Sequence, residues 1–540
     1  MNAGNAKIWA QKQKEREKSL RQLKTGKAKE IRGHSFKRFY WLILAVALVL
    51  PLAAVGAYFV REYDSSTPLE MSGNVITVKA GGDFQAALNR ARPGDTIMLQ
   101  AGATFKGAFK LPAKTGNEFI TVRTSATDAQ LPPADTRLDP KKYAAVLPKI
   151  VSNVKGEPAI SAAGGAHHYR FIGVAFGPTI EGLYDIIQIG TTEEKRIEDL
   201  PHHIEFDRVY IHGSPTEGQR RGIAANGKFI KVTNSYISDI KRKGDESQGI
   251  AAWATDGPVE IVNNYIEAAA ENILFGGATS AIELTPADCI VRSNHLNKPL
   301  AWREEGWVVK NLFEIKDGRR IQIEYNLMTN NWGMAQDGTG ILFTVGADSG
   351  KEAVVEDIVF SNNIVRGSGN AINLRGHEAA GARRLTIRNN IFADINGKRW
   401  NSAGHFMVSS DWDKLIIENN TIINSGNITN AYNVPIRGFV FRNNVVFENE
   451  YGFIGDGTNP GKPTFDKFFP RGDISFNAII GGNASIYYGK NMYPSSIKQL
   501  GFINADAGDY RLRPDSPLRG KGFGGKQIGA DLDPNSVGGK

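Results

Sequence analysis

Short runs of alternating apolar and polar residues that end in asparagine recur along most of the chain. The clearest copies are IVNNYI at 261, VRSNHL at 291, IEYNLM at 323, FSNNIV at 360, IRNNIF at 387, IENNTI at 417 and FRNNVV at 441, with weaker copies at 206, 232 and 474. Alternation with a period of two predicts β-strands that bury one face. One such strand about every 30 residues predicts a solenoid of stacked repeats.

The residues between these copies indicate which kind of solenoid to expect. They lack amphipathic helical periodicity, which excludes leucine-rich, ankyrin and tetratricopeptide arrays, and they contain short β-rich runs separated by Gly, Asp and Asn. Each repeat is therefore predicted to form one coil of a parallel β-helix, which is an all-β fold. The asparagine is expected at a sharp corner, where it tolerates a left-handed backbone and where stacked amides hydrogen-bond between coils. We interpret the asparagines as structural and not as a binding site.

Both ends of the predicted β-helix differ from the repeat, as expected because solenoids need caps. Residues 83–88 predict a short amphipathic helix with Phe84, Ala87 and Leu88 on one face, which would close the N-terminal end. Residues 501–540 lose the asparagine pattern and are predicted to form a C-terminal capping segment.

An uncharged apolar stretch precedes this domain. Residues 39–60 are long enough, at about 1.5 Å per residue, to cross a bilayer core, and we predict one transmembrane signal-anchor helix there. A cleaved signal peptide is the alternative. The basic tail, residues 1–38, places the N-terminus in the cytoplasm. A linker, residues 61–74, and the β-helix, residues 75–500, are then expected on the periplasmic or extracellular side of the inner (cytoplasmic) membrane.

The net charge of +9 belongs to the tail. Residues 1–38 contain twelve Lys or Arg and three acidic residues, which already gives +9, so the rest of the chain is neutral. No basic patch is predicted on the folded domain, which argues against nucleic acid as its partner. The tail is expected to set the topology, with docking to anionic lipid or to an unknown cytoplasmic partner as the alternative.

The single cysteine excludes an intramolecular disulfide. Cys289 shares the alternation of Val291 in the segment DCIVRSN, so it is predicted to be a small core residue and not a nucleophile. The exported domain must therefore be held together by burial and hydrogen bonding.

Two segments resemble parts of known proteins. VKAGGDFQAALNRARPGDTIMLQAGATFKG, followed by ITVRTSA, looks like the opening of right-handed parallel β-helix proteins of the pectate-lyase-like superfamily, especially the chondroitinase B and alginate lyase branch. DYRLRPDSPLRGKG with QIGAD resembles the ending of many such proteins. The resemblance implies a right-handed parallel β-helix over roughly residues 75–540. It implies no single activity, because the superfamily also contains hydrolases, esterases, epimerases, tailspikes and adhesins, and none of the catalytic motifs we sought is present.

Residues 283–332 contain the densest set of charged and aromatic side chains. Alternation places Lys310 and Lys316 on the outward face of one strand. Aromatic rings stack on sugars, and Lys or Arg binds carboxylates, so we predict a face that binds an acidic polysaccharide. The alternative is a solvated surface whose charges pair between coils. The candidate binding residues are Arg292, Trp302, Trp307, Glu314 and Glu324.

A uronate substrate defines the chemistry that a lyase would need. The enzyme must neutralise the carboxylate, remove the proton at carbon 5 and protonate the leaving oxygen at carbon 4. A lysine with a lowered pKa could be the base, and an arginine could bind the carboxylate. The candidate catalytic residues are Lys298, Lys310 and Lys316 as bases, Arg303 or Arg292 as the carboxylate partner, and His295 or Tyr325 as the acid.

Calcium could also neutralise the substrate carboxylate. Asp245, Glu267 and Glu271 are the candidate ligands, although their spacing matches no fixed calcium loop. Two His-His pairs, beginning at His167 and His202, lie in separate segments without metal-ligand spacing, so no metal site is predicted from them.

Two classes of function follow from these observations. One is a membrane-anchored enzyme that acts on an acidic polysaccharide by β-elimination or epimerisation. The other is a non-catalytic β-helix that binds glycan or a surface partner. Cations beside tryptophans favour the first class, and the absence of a familiar catalytic motif favours the second.

Overall fold

The structure is a computed structural model that describes residues 73–539. It is built from three long parallel β-sheets, to which the successive coils contribute strands in turn. Sheet A has 14 strands, sheet B has 13 and sheet C has 12. These sheets fit the right-handed parallel β-helix expected from the sequence.

The strands are numbered in chain order. Sheet A contains β1 (Val75–Val78), β2 (Thr96–Leu99), β5 (Ile120–Thr124), β8 (His167–Ile172), β11 (His202–Asp207), β14 (Lys228–Thr233), β17 (Val259–Val262), β20 (Ile290–Arg292), β23 (Gly318–Glu324), β26 (Val355–Ser361), β29 (Ala382–Arg388), β32 (Asp413–Glu418), β35 (Val440–Arg442) and β38 (Asp473–Ser475). Sheet B contains β3 (Thr104–Lys106), β6 (Lys149–Val151), β9 (Ala175–Phe176), β12 (Tyr210–His212), β15 (Tyr236–Ile240), β18 (Tyr265–Ala268), β21 (His295–Asn297), β24 (Leu327–Asn331), β27 (Ile364–Ser368), β30 (Ile391–Ile395), β33 (Thr421–Asn424), β36 (Val445–Phe447) and β39 (Ala478–Ile480). Sheet C contains β4 (Phe109–Leu111), β7 (Ile160–Ala162), β10 (Asp185–Ile189), β13 (Arg221–Ala225), β16 (Gln248–Ala252), β19 (Glu271–Phe275), β22 (Asn311–Ile315), β25 (Thr339–Thr344), β28 (Asn370–Arg375), β31 (Met407–Ser410), β34 (Thr429–Ala431) and β37 (Phe453–Gly455).

The two asparagines of each pair have different structural roles at the corner between sheets A and B. The first residue of the pair takes the left-handed backbone, with φ of +57° at Asn263. The second is buried, and its amide bridges coils: Asn264 Nδ2 donates to the Val232 carbonyl at 2.8 Å and to Asn294 Oδ1 at 3.0 Å. The same ladder continues through Asn294, Asn326, Asn363, Asn390, Asn420, Asn444, Asn477 and Asn491. The predicted structural role of these asparagines is confirmed.

Apolar side chains stacked in register fill the interior. Ile250, Ile273 and Phe313, for example, are aligned on neighbouring strands of sheet C and all belong to the main core. Cys289 lies in the same core, fully buried, and burial raises the pKa of its thiol to about 12. The prediction that Cys289 is a core residue is therefore confirmed.

Short helices occur near both ends of the β-helix. Helix α1 (Phe84–Arg90) is capped by Asp83 and buries Phe84, Ala87 and Leu88 in the core, as predicted. Helix α2 (Pro140–Tyr143) is a single turn. Helix α3 (Lys462–Phe468) inserts Phe465 and Phe468 into the core beside the last coils, a cap that sequence analysis missed.

The C-terminal segment differs from the predicted cap. It contains an antiparallel pair, β40 (Phe502–Asn504) and β41 (Asp509–Leu512), and then runs back along the outside of sheet B. The backbone N–H of Ala530 donates to Thr421 Oγ1, and that of Gly538 donates to the Tyr325 carbonyl. The physical reason is that sheet B carries apolar side chains on its outer face, which this segment covers.

The predicted tail, transmembrane helix and most of the linker lie outside the described residues. Within residues 73–539, no helix is long and apolar enough to cross a membrane. The anchor at residues 39–60 and the proposed location therefore stay predictions.

Candidate functional site

The candidate residues between 283 and 332 are distributed over separate surfaces. Arg292 and Glu324 lie on neighbouring strands of sheet A in the predicted alignment, and Arg292 Nη2 is 2.5 Å from Glu324 Oε1. This ion pair matches the alternative in which surface charges pair between coils.

Lys298 follows β21 and is fully buried. Its Nζ donates to the carbonyl oxygens of Ala268, Ala269 and Ala270 at 2.8, 2.8 and 3.1 Å, and it lies 3.1 Å from Asn272 Oδ1. Burial lowers the pKa of Lys298 to about 7, with Glu271 acting in the opposite direction. That pKa would suit a general base, but the amine is enclosed by backbone acceptors. The candidate role of Lys298 as a base does not fit this position, because its side chain turns inward and its amine holds the corner.

The tryptophans of this stretch form a buried cluster. Trp302 and Trp307 are each 4 % exposed and pack with Trp332 and Trp400. The Nζ of Lys241 lies 4.9 and 4.8 Å from the ring centres of Trp302 and Trp307. The prediction that these two rings are open planes for sugar stacking is wrong, because a short 3-10 turn folds Trp302 back against the coil.

Arg303 lies in the same turn and is exposed. Its guanidinium lies 5.7 Å from the Trp332 ring and 5.5 Å from the Trp400 ring, and it donates to the Arg399 carbonyl. Arg399 and Trp400 also line an open cleft of about 280 Å³ together with Arg366. Arg303 is therefore near this cleft, which Asp394 and Asp506 also line, but it is not part of the charged cluster on sheet C.

That cluster is centred on Lys310 and is called here the Lys310 cluster: Glu246, Glu271, Lys310, Asn311 and Glu314. Lys310 Nζ is 2.5 Å from Glu271 Oε1 and 2.9 Å from Glu246 Oε1. Asn311 Nδ2 donates to Glu314 Oε2 at 3.2 Å. Glu271, Glu314 and Lys310 are 0, 2 and 5 % exposed, whereas the side chain of Glu246 is half-exposed. The cluster thus connects buried charges to the surface through Glu246.

The electrostatics of the cluster assign different roles to its members. Burial alone would lower the pKa of Lys310, but Glu271, Glu314 and Glu246 outweigh it and raise that pKa. Burial raises the pKa of Glu271; Lys310 opposes this, and Glu314 and Glu246 add to it. Lys310 is therefore a firmly held cation, and the expectation of a lowered lysine pKa at this position is wrong. Glu271 is the group that retains a proton more readily than an ordinary carboxyl.

Lys316 directly follows strand β22, which contains Asn311 and Glu314. Its Nζ is 2.8 Å from Asp348 Oδ2. Burial would lower the pKa of Lys316, but Glu314 and Asp348 outweigh this and raise it. Lys316, like Lys310, fits a role in binding an anion better than a role as a base.

A row of polar side chains leads to the cluster along sheet C. Asp185, Arg221, Gln248, Glu271 and Asn311 are aligned on five consecutive strands. Arg221 Nη1 donates to Asp185 Oδ1 at 2.7 Å, and its Nε donates to Gln248 Oε1 at 3.1 Å. Gln248 Nε2 in turn donates to Glu271 Oε2 at 2.9 Å.

Sequence analysis missed four members of this row: Asp185, Arg221, Gln248 and Asn311. The available signal was their shared position, two residues before an inward isoleucine or phenylalanine in each strand. The Arg221 guanidinium also lies 4.7 Å from the Trp253 ring centre, so a cation and an aromatic plane do occur together here.

The proposed calcium ligands do not come together. Asp245 Oδ2 lies 3.3 Å from Arg220 Nε, and Glu267 Oε1 accepts a hydrogen bond from the Tyr265 hydroxyl at 2.7 Å. Glu271 belongs to the Lys310 cluster. These three carboxylates form no group within reach of one ion in the described part of the chain, so this ligand set is wrong. The reason is that Glu267 lies in sheet B and Glu271 in sheet C.

Comparison with known proteins yields structural similarity alone. No family model matches the chain, and no curated protein matches its sequence. An alginate lyase from Paenibacillus sp. str. FPU-7 is similar at 14 % identity and a TM-score of 0.32, covering 71 % of this chain and 98 % of that one. A GH136 lacto-N-biosidase from Eubacterium ramulus has 14 % identity and a TM-score of 0.44, with 78 and 68 % covered. A PL6 family alginate lyase, AlyGC, has 15 % identity and a TM-score of 0.44, with 86 and 58 % covered. At these identities the likeness concerns the fold and transfers no activity to this chain.

Proposed function

We propose that this protein is a membrane-anchored β-helix outside the cytoplasm that acts on an acidic polysaccharide, by β-elimination or epimerisation, at the Lys310 cluster. The observation that carries the proposal is a lysine cation held by two glutamates within a polar row that crosses five coils. Perturbed carboxyl and lysine pKa values concentrated in one place are typical of acid–base sites.

The polar row connects the cluster to the surface. Its strands are spaced about 4.8 Å apart along sheet C, but Asp185, Gln248, Glu271 and Asn311 are buried, so a polymer would contact the partly exposed groups at its edge, Arg221 and Glu246. Arg221 provides a guanidinium, which pairs with carboxylates through two parallel hydrogen bonds. Trp253, beside it, provides an aromatic face.

In this proposal Lys310 stays charged and faces the uronate carboxylate, which acidifies the proton at carbon 5. Glu246 accepts that proton, and the electron pair of the broken C–H bond forms the double bond between carbons 4 and 5. The oxygen that leaves carbon 4 takes a proton from water, because Glu271 is fully buried and instead holds Lys310 in place. In epimerisation no C–O bond breaks, and a proton returns to carbon 5 from the opposite side.

A non-catalytic glycan-binding or surface-interaction β-helix is the second candidate. The observation that favours it is the enclosure of Lys310 and Glu271, which leaves Glu246 as the exposed member of the ion-pair network. In that case the buried charges would hold the coils together, and any glycan would contact the surface alone.

The test uses the full-length chain with a panel of uronate polymers. New unsaturated ends, detected by ultraviolet absorbance, are expected for β-elimination; uptake of solvent deuterium at carbon 5 without cleavage is expected for epimerisation. New reducing ends without absorbance would indicate hydrolysis and contradict the proposal. Binding without any product would favour the second candidate.

Variants locate the reaction. Lys310→Met and Glu271→Gln, each confirmed as folded by circular dichroism, are expected to lower turnover by at least about 100-fold, because each removes or displaces the cation that stabilises the developing negative charge. Arg320→Gln removes an ion pair with Asp288 on sheet A and serves as the control with unchanged turnover. Full turnover in the first two variants would exclude the Lys310 cluster as the site.

A further inference from the structure

Four histidines lie together on sheet A, away from the Lys310 cluster. His167 and His168 begin β8, and His202 and His203 begin β11. The two strands are neighbours, and the parallel register places His202 beside His167. The sequence separates the pairs by 35 residues, but one coil of the β-helix brings them side by side.

A local backbone feature turns all four rings to the same side. Consecutive side chains of a strand normally point to opposite faces. His168 and His203 instead have a left-handed backbone, with φ of +55° and +52°. As a result the Nδ1 atoms of His167 and His168 lie 2.7 Å apart, and those of His202 and His203 lie 2.8 Å apart.

The rings also stack between the coils. The ring centres of His167 and His202 are 4.6 Å apart with nearly parallel planes, and those of His168 and His203 are 4.5 Å apart. Phe229 stacks on the ring of His203 at the far side. All four histidines are partly buried, so the cluster is shaped by its neighbours but keeps access to solvent.

The contacts of this cluster differ from those of the asparagine ladder. Each ladder amide donates to a backbone carbonyl as well as to its neighbour. Within residues 73–539, by contrast, the ring nitrogens of the four histidines form hydrogen bonds only inside each pair. The Nε2 atom of every ring therefore has no hydrogen-bond partner in the described chain. An imidazole nitrogen without a hydrogen bond can donate its lone pair to a metal ion.

The distances are compatible with metal binding. One ligand nitrogen from each of His167, His168 and His202 lies within 4.8 Å of the other two. A tetrahedral ion with bonds of about 2.0–2.1 Å needs nitrogens roughly 3.3 Å apart, which small ring rotations would reach. The nearby Lys228 is paired with Asp256 at 2.9 Å.

We propose that His167, His168 and His202 bind one divalent transition-metal ion of the zinc or nickel type, with His203 as a supporting or fourth ligand. Neutral imidazole is a preferred ligand of these ions, and three histidines from two adjacent strands leave a coordination position open. The site is independent of the proposed polysaccharide chemistry, because it lies on a different sheet.

The test titrates the full-length chain, made without a polyhistidine tag and stripped with a chelator, with Zn²⁺ or Ni²⁺ in a calorimeter. One ion per chain is expected, with a rise in melting temperature as the ion binds the folded state. His168→Gln and His202→Gln should each weaken binding by more than the roughly 10- to 100-fold caused by losing a mere outer partner of a ligand.

The control is His377→Gln, which removes an exposed histidine elsewhere and should leave affinity unchanged. Cobalt provides a second readout: the visible absorption of bound Co²⁺ should appear in the wild-type chain and in His377→Gln, and should be lost in His202→Gln. Failure of the wild-type chain to bind an ion, or undiminished binding by both cluster variants, would overturn the proposal. Melting curves without metal verify that the variants are folded.

Discussion

Replacing Lys310 by methionine tests the electrostatic reasoning at the centre of the candidate site. The change keeps the length of the side chain but removes the cation that lies 2.5 Å from Glu271. Glu271 is fully buried, and Gln248 remains its hydrogen-bond donor. Removing one partner of a buried ion pair costs about 3–5 kcal/mol because the remaining charge has no compensation.

Protonation limits that cost and makes it depend on pH. Glu271 can become neutral, and neutralising a carboxyl of ordinary pKa costs about 1.4 kcal/mol per pH unit above roughly 4.3. The destabilisation is therefore at most about 4 kcal/mol at pH 7 and about 1 kcal/mol at pH 5. The sign follows from the raised pKa of Glu271 in the folded state: stability is greatest below the unfolded pKa and declines as the pH rises through the folded one.

Urea denaturation and melting temperature, measured on the full chain at both pH values, provide the assay. In a domain of this size the melting temperature should fall by roughly 1 °C for each kcal/mol. The double variant Lys310→Met/Glu271→Gln should recover most of the loss at pH 7, because it leaves no unpaired buried charge at this position. An equal loss at pH 5 and pH 7, or no recovery in the double variant, would refute the assigned roles.

Three further predictions concern the fold and its location. Asn390→Leu or Asn420→Leu should cost about 1–3 kcal/mol through the lost inter-coil hydrogen bonds, with glycan affinity of the folded fraction unchanged; lost affinity at an unchanged melting temperature would contradict the structural role. Trp302→Ala should lower the free energy of unfolding by about 3–5 kcal/mol, because the ring is buried, and a variant as stable as wild type would show an open ring instead. A reporter active only outside the cytoplasm, fused after Lys540, should be active, and the protein should stay in the membrane pellet after a high-salt wash; a mature chain that begins near Tyr58 would show cleavage.

The repeat could be predicted from the sequence because its signal is local. Each asparagine corner is a short segment in which alternation, a left-handed residue and an amide follow one another, so the pattern at Asn263-Asn264 identifies a coil without knowledge of its neighbours. The burial of Cys289 followed from the same alternation. The period and the side-chain direction depend only on the residues of one strand, so they can be predicted from the sequence of that strand.

The candidate site depends on relations between coils, which the sequence does not display. Loops of different length separate the strands, so nothing local indicates that Lys310 meets Glu271 or that His202 stacks on His167. The left-handed backbone at His168 reverses the expected side-chain alternation, which concealed the histidine cluster. Trp302 was misplaced for a related reason, since its turn folds back onto the coil.

The Lys310 cluster differs from the apolar interior because it contains a buried ion pair and unsatisfied amide oxygens. A buried ion pair adds little stability compared with apolar side chains of similar size, so the fold alone does not require one in this coil. The amide oxygens of Asn311 in the cluster and of Asn331 beside it are buried without a hydrogen-bond partner in the described structure, while the asparagine ladder satisfies its amides coil after coil. Unsatisfied polar atoms beside paired charges are a cost that native proteins tolerate mainly at functional sites. The contrast between the satisfied ladder and the unsatisfied oxygens at the cluster is therefore the physical reason to look for chemistry at Lys310.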